Sequence, residues 1–320
     1  MMVEIFGRSL RDIIRDTPLY ISLARRYCSI RLLRAKYPLL ASVDVSNVCN
    51  LHCSHCYWWL NRKEEDGLYA EEWRRIIRKM LKGKVMHVGI AGGEPLLRFD
   101  VIRVFCEEMP GHVSVVTNGT LSLQRIEGLY FYFVSIDGTR DVHDQIRGKG
   151  SYDRTRRNIL YYIERYSNNG YKAWKDIWLS FTINSINYRS VEDCIEEWYG
   201  VVNKVAVQFH TPFVRGDPLS LPFGEERDGV VSKLLTLRKR YPKFIANHPR
   251  QLELLRRSWG GKGTTPIACP SWAILSLDHM GRVKRPCCIG SADVNAMQPI
   301  CEECGLSSYA MLYSYGIRNV

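Results

Sequence analysis

From residue 41 onward, short apolar runs alternate with longer segments in which apolar residues recur every three or four positions. The short runs predict β-strands and the longer segments predict amphipathic helices. Strands are predicted at residues 41–46, 84–90, 112–117, 130–136, 177–183 and 203–209, and helices at 70–81, 99–109, 121–127, 152–167, 190–200 and 225–241. Six strand–helix units in this order predict an α/β fold, a parallel sheet with its chemistry at the carboxyl ends of the strands.

The two ends of the chain depart from this alternation. Residues 4–16 and 19–36 show helical spacing, and residues 1–40 hold eight basic and three acidic residues. This pattern predicts a basic helical segment that either caps the main domain or lies on an anionic membrane surface. Residues 244–320 are rich in cysteine, glycine and proline and predict a small loop-rich extension. The expected domains are therefore 1–40, 41–243 and 244–320.

Composition narrows the class of protein. No apolar run reaches the ~18 residues that a membrane span needs, and the first residues lack the apolar core of a signal peptide. We therefore expect a cytoplasmic protein, or one peripheral to the inner face of the membrane. Eleven cysteines in such a chain indicate metal or cluster ligation rather than disulfides. The net charge of +12 is partly local to the N-terminus, so it is no strong signal of nucleic-acid binding.

Three cysteines follow the first predicted strand within eight residues: Cys49, Cys53 and Cys56. A fully ligated [4Fe–4S] cluster takes four cysteines, so three thiolates leave one iron open to a cofactor or substrate. His52 and His55 lie between these cysteines and could supplement a zinc site instead, although zinc sites prefer paired CxxC spacing.

The CxxxCxxC spacing resembles the signature of the radical S-adenosylmethionine (SAM) superfamily. That resemblance implies a partial (β/α)6 barrel in which the open iron chelates SAM. It implies that one electron cleaves SAM to methionine and a 5′-deoxyadenosyl radical, which abstracts a substrate hydrogen. An electron donor such as ferredoxin or flavodoxin is then expected. His55 matches the position that packs near the adenine.

Four further motifs follow in order: the first resembles a motif of the whole superfamily, and the other three resemble motifs of the subgroup that matures peptides and cofactors. They are GGEP at 92–95, TNG at 117–119, SxDG at 135–138 and HDxxRG at 143–148. Taken singly, such motifs are also consistent with plain turns. The resemblance implies that Glu94 holds the SAM amino group and that Arg147 pairs with its carboxylate. The predicted SAM contacts are His55, Gly92, Gly93, Glu94, Pro95, Asn118, Ser135, Asp137, Arg147 and, more weakly, Asn184. Gln208 and His210 end the sixth strand and could face the substrate or the adenine.

The late cysteines resemble those of a SPASM or twitch extension, in which a hairpin with Gly-x-Val leads to a cysteine ligand. A full SPASM extension usually needs seven cysteines and five remain here, so one auxiliary [4Fe–4S] cluster is expected. Its predicted ligands are Cys269, Cys287, Cys301 and Cys304, and Cys288 is not expected to bind the same cluster as its neighbour. A structural zinc is the alternative.

Three functions compete at this point. The first is a radical SAM oxidoreductase or transferase that modifies a peptide or protein. The second is a membrane-peripheral radical SAM enzyme acting on an isoprenoid lipid. It rests on a weaker resemblance to adenosylhopane synthase-like enzymes, carried by the basic N-terminus, the KYPL segment at 36–39 and the late CxxC, and it implies membrane contact through residues 1–36. The third is a non-enzymatic zinc-binding nucleic-acid module, which leaves GGEP, TNG and SxDG unexplained.

Overall fold

A computed structural model describes residues 10–61, 67–168, 170–258 and 269–317. Its centre is one sheet of seven parallel strands in the order β6-β5-β4-β3-β2-β1-β7. The strands are β1 Leu40–Asp44, β2 His87–Ala91, β3 Val113–Thr117, β4 Leu129–Ser135, β5 Ile177–Ile183, β6 Lys204–Phe209 and β7 Ile274–Leu277. This parallel half-barrel confirms the predicted fold class.

Nine α-helices accompany the sheet in the described residues. They are α1 Leu10–Leu33, α2 Ala70–Lys82, α3 Phe99–Glu108, α4 Arg140–Arg147, α5 Ser151–Tyr166, α6 Val191–Trp198, α7 Glu225–Arg240, α8 Pro249–Leu254 and α9 Ser307–Ser314. Large side chains such as Trp73, Phe105 and Trp198 are fully buried in the core. None of the helices in the described ranges is both long and apolar enough to cross a membrane.

The seventh strand was not predicted. It comes from the segment expected to be loop-rich, and it pairs with β1 in parallel from Leu40 opposite Ile274 to Val43 opposite Leu277. This strand has only four residues, and its partner β1 lies more than 200 residues earlier in the chain. Local periodicity therefore could not reveal it. The C-terminal cysteine region is therefore joined to the edge of the main sheet.

The predicted helix at 121–127 is wrong. This segment is an irregular connection between β3 and β4. Its carbonyls are occupied by side chains instead of helical amides: the Tyr132 hydroxyl donates to the Gln124 carbonyl at 2.6 Å, and Asn158 Nδ2 donates to the Leu121 carbonyl at 3.0 Å. Burial of Leu123 then holds the segment against the core.

The N-terminus also differs from expectation, because α1 runs unbroken across the gap between the two predicted helices. The part of the first prediction before residue 10 lies outside the described residues. The helix docks on the body of the protein through buried Ile30. Tyr27 Oη donates to the Tyr315 carbonyl at 3.0 Å, and Arg31 Nη1 donates to the Gly316 carbonyl at 3.1 Å.

Candidate functional site

A cavity of about 190 Å³ lies at the carboxyl ends of the strands. The loop after β1 contributes all three cysteines of the CxxxCxxC motif to its wall. Residues at the ends of β2 to β6 and two apolar residues of the C-terminal region complete it. The predicted residues that line it are Cys49, Cys53, His55, Cys56, Gly92, Gly93, Asn118, Ser135, Arg147, Gln208 and His210. Parallel strands bring these positions together because all their carboxyl ends meet at one edge.

Two glycines allow the cysteine loop to approach the loop after β2. The Gly93 amide donates to the Ser46 carbonyl at 2.9 Å, and the next amide, of Glu94, donates to the Val48 carbonyl at 2.8 Å. A Cβ at Gly93 would lie 2.2 Å from the Val48 oxygen, and Gly92 has a φ of +124°. Only glycine fits such a close approach and such a backbone conformation. The GGEP motif thus fixes the path of the chain immediately before Cys49.

The three thiols are embedded in the protein. Burial raises the pKa of Cys49, Cys53 and Cys56, that of Cys56 to about 11. Two donors lie near the sulfur atoms: Asn118 Nδ2 is 3.9 Å from Cys49 Sγ, and Arg147 Nη1 is 3.8 Å from Cys53 Sγ. Thiolates are the form that binds iron, so cluster binding must release protons from these thiols. The two donors favour the charged sulfur.

Arg147 forms a buried ion pair with a carboxylate of the protein itself. Its Nε donates to Asp137 Oδ2 at 2.5 Å, and the two side chains are 9% and 0% exposed. Burial raises the pKa of Asp137, but Arg147, His55, His143 and the Thr182 amide together outweigh burial, and the pKa is lowered overall. The Thr182 amide donates to Asp137 Oδ1 at 3.0 Å. The predicted partner of Arg147 was the SAM carboxylate; in the structure Arg147 holds Asp137, which does not itself line the cavity.

Glu94 lies behind the cavity wall. Its Oε1 accepts from Thr117 Oγ1 at 2.7 Å and from the Leu96 amide at 3.0 Å, and its Oε2 accepts from the Asn118 amide at 2.9 Å. Burial raises the pKa of Glu94. These bonds tie the ends of β2 and β3 together and orient Asn118. Pro95 opens the 3-10 turn Pro95–Arg98, also outside the cavity lining.

Asn184 is likewise outside the cavity lining. Its Oδ1 accepts from the amides of Ile186, at 2.9 Å, and Asn187, at 3.2 Å, so it shapes the turn after β5. Sequence reasoning missed Thr182 and Thr211, which do line the cavity. Their position at or just after a strand end was the only signal that could have identified them.

His55 faces the cavity as a neutral imidazole, because burial lowers its pKa to about 4. Its Nε2 is 3.7 Å from Asp137 Oδ2, and its ring meets His210 edge-on at 6.4 Å. Its Nδ1 is buried and has no hydrogen-bond partner in the described residues. His210 is held by Asp217, whose Oδ2 is 2.8 Å from His210 Nε2.

The C-terminal cysteines lie near one another in the fold. The Cys269 thiol interacts electrostatically with those of Cys304, Cys301 and Cys288, and burial raises its pKa. The Cys287 thiol shares a hydrogen bond with Cys288. The predicted hairpin is present. The Asp278 amide donates to the Arg282 carbonyl at 2.9 Å, and Gly281 turns the chain with a φ of +73°. No three His, Cys, Asp or Glu side chains of the described segments lie close enough together to hold a single metal ion.

The C-terminal region also packs beside β6. The Phe209 amide donates to the Gly305 carbonyl at 3.0 Å, and the Gly305 amide donates to Thr211 Oγ1 at 2.8 Å. Ile289 and Leu306 line the cavity. The region that carries the late cysteines therefore forms part of the wall of the candidate site.

Fold and site together define a parallel half-barrel with a three-cysteine loop at its carboxyl edge. Residues 43–184 match the model of the radical SAM superfamily. The chain therefore carries a radical SAM domain, a class that uses a [4Fe–4S] cluster and SAM. With the maturase relatives described next, this domain indicates an enzyme, which disagrees with the zinc-binding nucleic-acid alternative.

Similar proteins include sporulation killing factor maturation protein SkfB of Bacillus subtilis (strain 168), 27% identical over 60% of this chain and 45% of that protein. Fe-coproporphyrin III synthase of Methanosarcina barkeri (strain Fusaro / DSM 804) is 32% identical over 48% of this chain and 40% of that protein. The chain thus spans less than half the length of these relatives. The structure of Streptococcus suis SuiB bound to precursor peptide SuiA has a similar fold. Its TM-score is 0.60 at 16% identity, and the match covers 94% of this chain and 72% of that one.

The residues of the cavity fit a cluster with a bound cofactor. Three thiols face one space, a buried guanidinium and an amide lie near two of them, and His55, whose buried Nδ1 has no partner in the described residues, lines the same space. Unpaired buried polar atoms are rare in native proteins unless a ligand, ion or water meets them.

Proposed function

We propose that this chain is a radical SAM enzyme that modifies a peptide, with Cys49, Cys53 and Cys56 holding a [4Fe–4S] cluster and SAM binding in the same cavity. The observation that carries this proposal is the convergence of the three thiols with polar groups from the ends of β3 to β6 on one cavity. When bound, cluster and SAM supply reductive cleavage of SAM and abstraction of a hydrogen atom from the substrate.

The protein's own residues prepare this space. Asn118 and Arg147 donate toward two of the sulfur atoms, and the carboxylates behind them, Glu94 and Asp137, keep these donors in place. Neutral His55 offers a hydrogen-bonding nitrogen without adding charge. Arg147, the one charged side chain among the described residues that line the cavity, is compensated by Asp137. The site can therefore bind the zwitterionic amino-acid part of SAM through hydrogen bonds.

A peptide is the favoured substrate because SkfB is named as a maturation protein and SuiB was solved with a precursor peptide. The electron donor, ferredoxin or flavodoxin, stays a prediction. So does an auxiliary [4Fe–4S] cluster held by the late cysteines, for which the grouping of Cys269, Cys301 and Cys304 is the support. Within the adjacent pair, the Cys288 thiol interacts electrostatically with Cys269, and the Cys287 thiol interacts with Cys304.

The test is anaerobic reconstitution with iron and sulfide, followed by dithionite and SAM. We expect 5′-deoxyadenosine and methionine from the wild-type chain and none from the Cys49/Cys53/Cys56→Ala variant. A Cys28→Ala variant is the control, because Cys28 is exposed on α1 away from the site. If the triple variant kept wild-type SAM cleavage, the proposal would be wrong.

A lipid substrate is the second candidate, and one surface feature favours it. Leu32 and Leu33 at the end of α1 are 78% and 77% exposed beside Arg31 and Arg34. A Leu32→Asp/Leu33→Asp variant tests membrane contact more cleanly than deletion of residues 1–36, because the deletion also removes the docking contact of Ile30. Loss of binding to phosphatidylglycerol liposomes in this variant would support the lipid proposal. Equal or absent binding in both proteins would count against it.

A further inference from the structure

A second cavity of about 230 Å³ adjoins the candidate site. The two cavities share Tyr57 and Ile289 as lining residues. The wall of the second cavity comes from three segments far apart in sequence: the end of β1, the residues directly after the cysteine loop, and the C-terminal hairpin with the residues after it. A ligand in this cavity therefore lies next to the reaction space.

A buried ion pair forms part of the wall. Lys284 Nζ donates to Asp44 Oδ2 at 2.5 Å, and the two side chains are 3% and 2% exposed. Asp278 Oδ2 accepts from Arg282 Nε at 2.7 Å, so a second lining carboxylate is also matched by a cation. The third, Asp293, is bound through Oδ1 to the Asn295 amide. With its charges largely matched, the cavity favours a neutral polar ligand over an ion.

Two polar atoms of this wall lack partners in the part of the chain that the structure describes. They are Asp44 Oδ1, an acceptor, and Trp58 Nε1, a donor. Leaving such an atom unpaired in the interior is destabilising, so a ligand that supplies its partner gains binding free energy. Asp44 is only 1% exposed. A ligand that pairs with both atoms must supply one hydrogen-bond donor and one acceptor.

We propose that the second cavity binds an amide group of the substrate, either a peptide unit or the carboxamide of Asn or Gln. An amide supplies both missing partners, because its N–H donates to Asp44 Oδ1 and its carbonyl accepts from Trp58 Nε1. The rings of Tyr57 and Trp58 provide the apolar surface beside it. Only the choice of a peptide as the source of the amide rests on the proposed function; the binding itself is independent of SAM cleavage.

The experiment is saturation-transfer NMR on the reconstituted full chain with four small probes. N-methylacetamide represents a peptide unit and acetamide represents a carboxamide. N,N-dimethylacetamide only accepts hydrogen bonds, and methylammonium only donates them. We expect transfer to one or both of the first two probes and little to the last two. The relative strength of the first two distinguishes backbone from side-chain recognition.

Trp58→Phe keeps the aromatic ring and removes the N–H, so it should weaken amide binding about fivefold. Trp59→Phe is the control, because Trp59 stacks on His52 at 4.5 Å and does not line the cavity. Equal transfer to the dimethyl probe, preferential transfer to methylammonium, no amide transfer, or unchanged binding in Trp58→Phe would each overturn the proposal. A 5′-deoxyadenosine assay on the same preparations reports separately on the proposed function.

Discussion

The two groups of cysteines in this protein are built in different ways. Cys49, Cys53 and Cys56 lie in one short loop, and their supports come from the ends of neighbouring strands. The late cysteines lie on separate stretches between residues 269 and 304, which the fold brings together beside β6. A site on one loop has a spacing that can be read in sequence. A site assembled from distant stretches has ligands that depend on packing.

The surroundings of the two groups differ as well. The first group has a buried cation and an amide near its sulfur atoms and opens on a cavity. In the second group, Cys269 interacts mainly with other thiols, and two of the cysteines, Cys287 and Cys288, contact each other. We infer that the first group is arranged for binding a cofactor and the second for holding the C-terminal region together.

The largest expected effect separates the roles of the two groups. Cys53→Ala should abolish SAM cleavage and remove about four irons per chain. A Cys301→Ala/Cys304→Ala variant should lose a similar amount of iron and retain SAM cleavage. Iron analysis and 5′-deoxyadenosine formation measure both. If the double variant kept its first cluster, seen by electron paramagnetic resonance of the reduced protein, yet lost SAM cleavage, the proposed division would be refuted.

The next effect concerns the buried support of the first group. Arg147→Gln leaves Asp137 charged and unpaired in the interior, so unfolding free energy should fall by about 3–5 kcal/mol. Arg140→Gln on the same helix is the matched control, because its pair with Asp153 is exposed. Such surface pairs contribute about 0–1 kcal/mol. If denaturant unfolding showed equal losses of unfolding free energy in the two variants, burial would not increase the contribution of the Arg147 pair.

A smaller effect tests the close approach of the two loops. Gly93→Ala places a Cβ against the Val48 carbonyl and should cost about 1–3 kcal/mol, with reduced iron retention. Gly229→Ala in α7 has open space around its Cβ and should stabilise the chain by about 0.5–1 kcal/mol. Opposite signs of the two stability changes would show that the loss at Gly93 comes from steric crowding and not from replacing any glycine by alanine. A neutral Gly93→Ala variant with full iron content would contradict the role given to the GGEP loop.

The smallest effect lies behind the first group, at the start of α5. The Asp144 carboxylate accepts from the amides of Gly150, at 2.6 Å, and Tyr152, at 2.8 Å. Burial raises its pKa, but these hydrogen bonds outweigh it and the pKa is lowered overall. The stabilisation is therefore complete above the unfolded pKa of about 3.9 and is lost as pH falls through the lower folded value.

Asp144→Asn should thus lower the unfolding free energy by about 1 kcal/mol at pH 7. The difference in unfolding free energy between variant and wild type should become smaller at pH 4 and below. Urea unfolding at several pH values measures this. Exposed Glu164→Gln serves as the control, with no change expected. A difference in unfolding free energy that grew on acidification would contradict a lowered pKa of Asp144 in the folded protein.

Much of the fold and part of the site were predictable from sequence alone. The first six strands, five of the six predicted helices and the three-cysteine loop rest on spacings of a few residues, and local backbone geometry makes such spacings visible. The two glycines of GGEP were predicted from their motif alone. The structure shows why glycine is needed there, because a Cβ at Gly93 would collide with the Val48 carbonyl. Helix α4 was missed because only two of its eight residues, Val142 and Ile146, are apolar, which is too few for an apolar face of the usual width.

Contacts between distant residues were decided by tertiary structure. Glu94 was expected to face SAM but lies behind the wall, where three donors satisfy it. Arg147 finds its partner in Asp137, and Lys284 finds Asp44 across 240 residues of chain. The sequence determined which strands, helices and cysteine loop could form, because these depend on neighbours along the chain. Packing determined which charges meet, since a buried charge takes whichever partner the folded chain brings within reach.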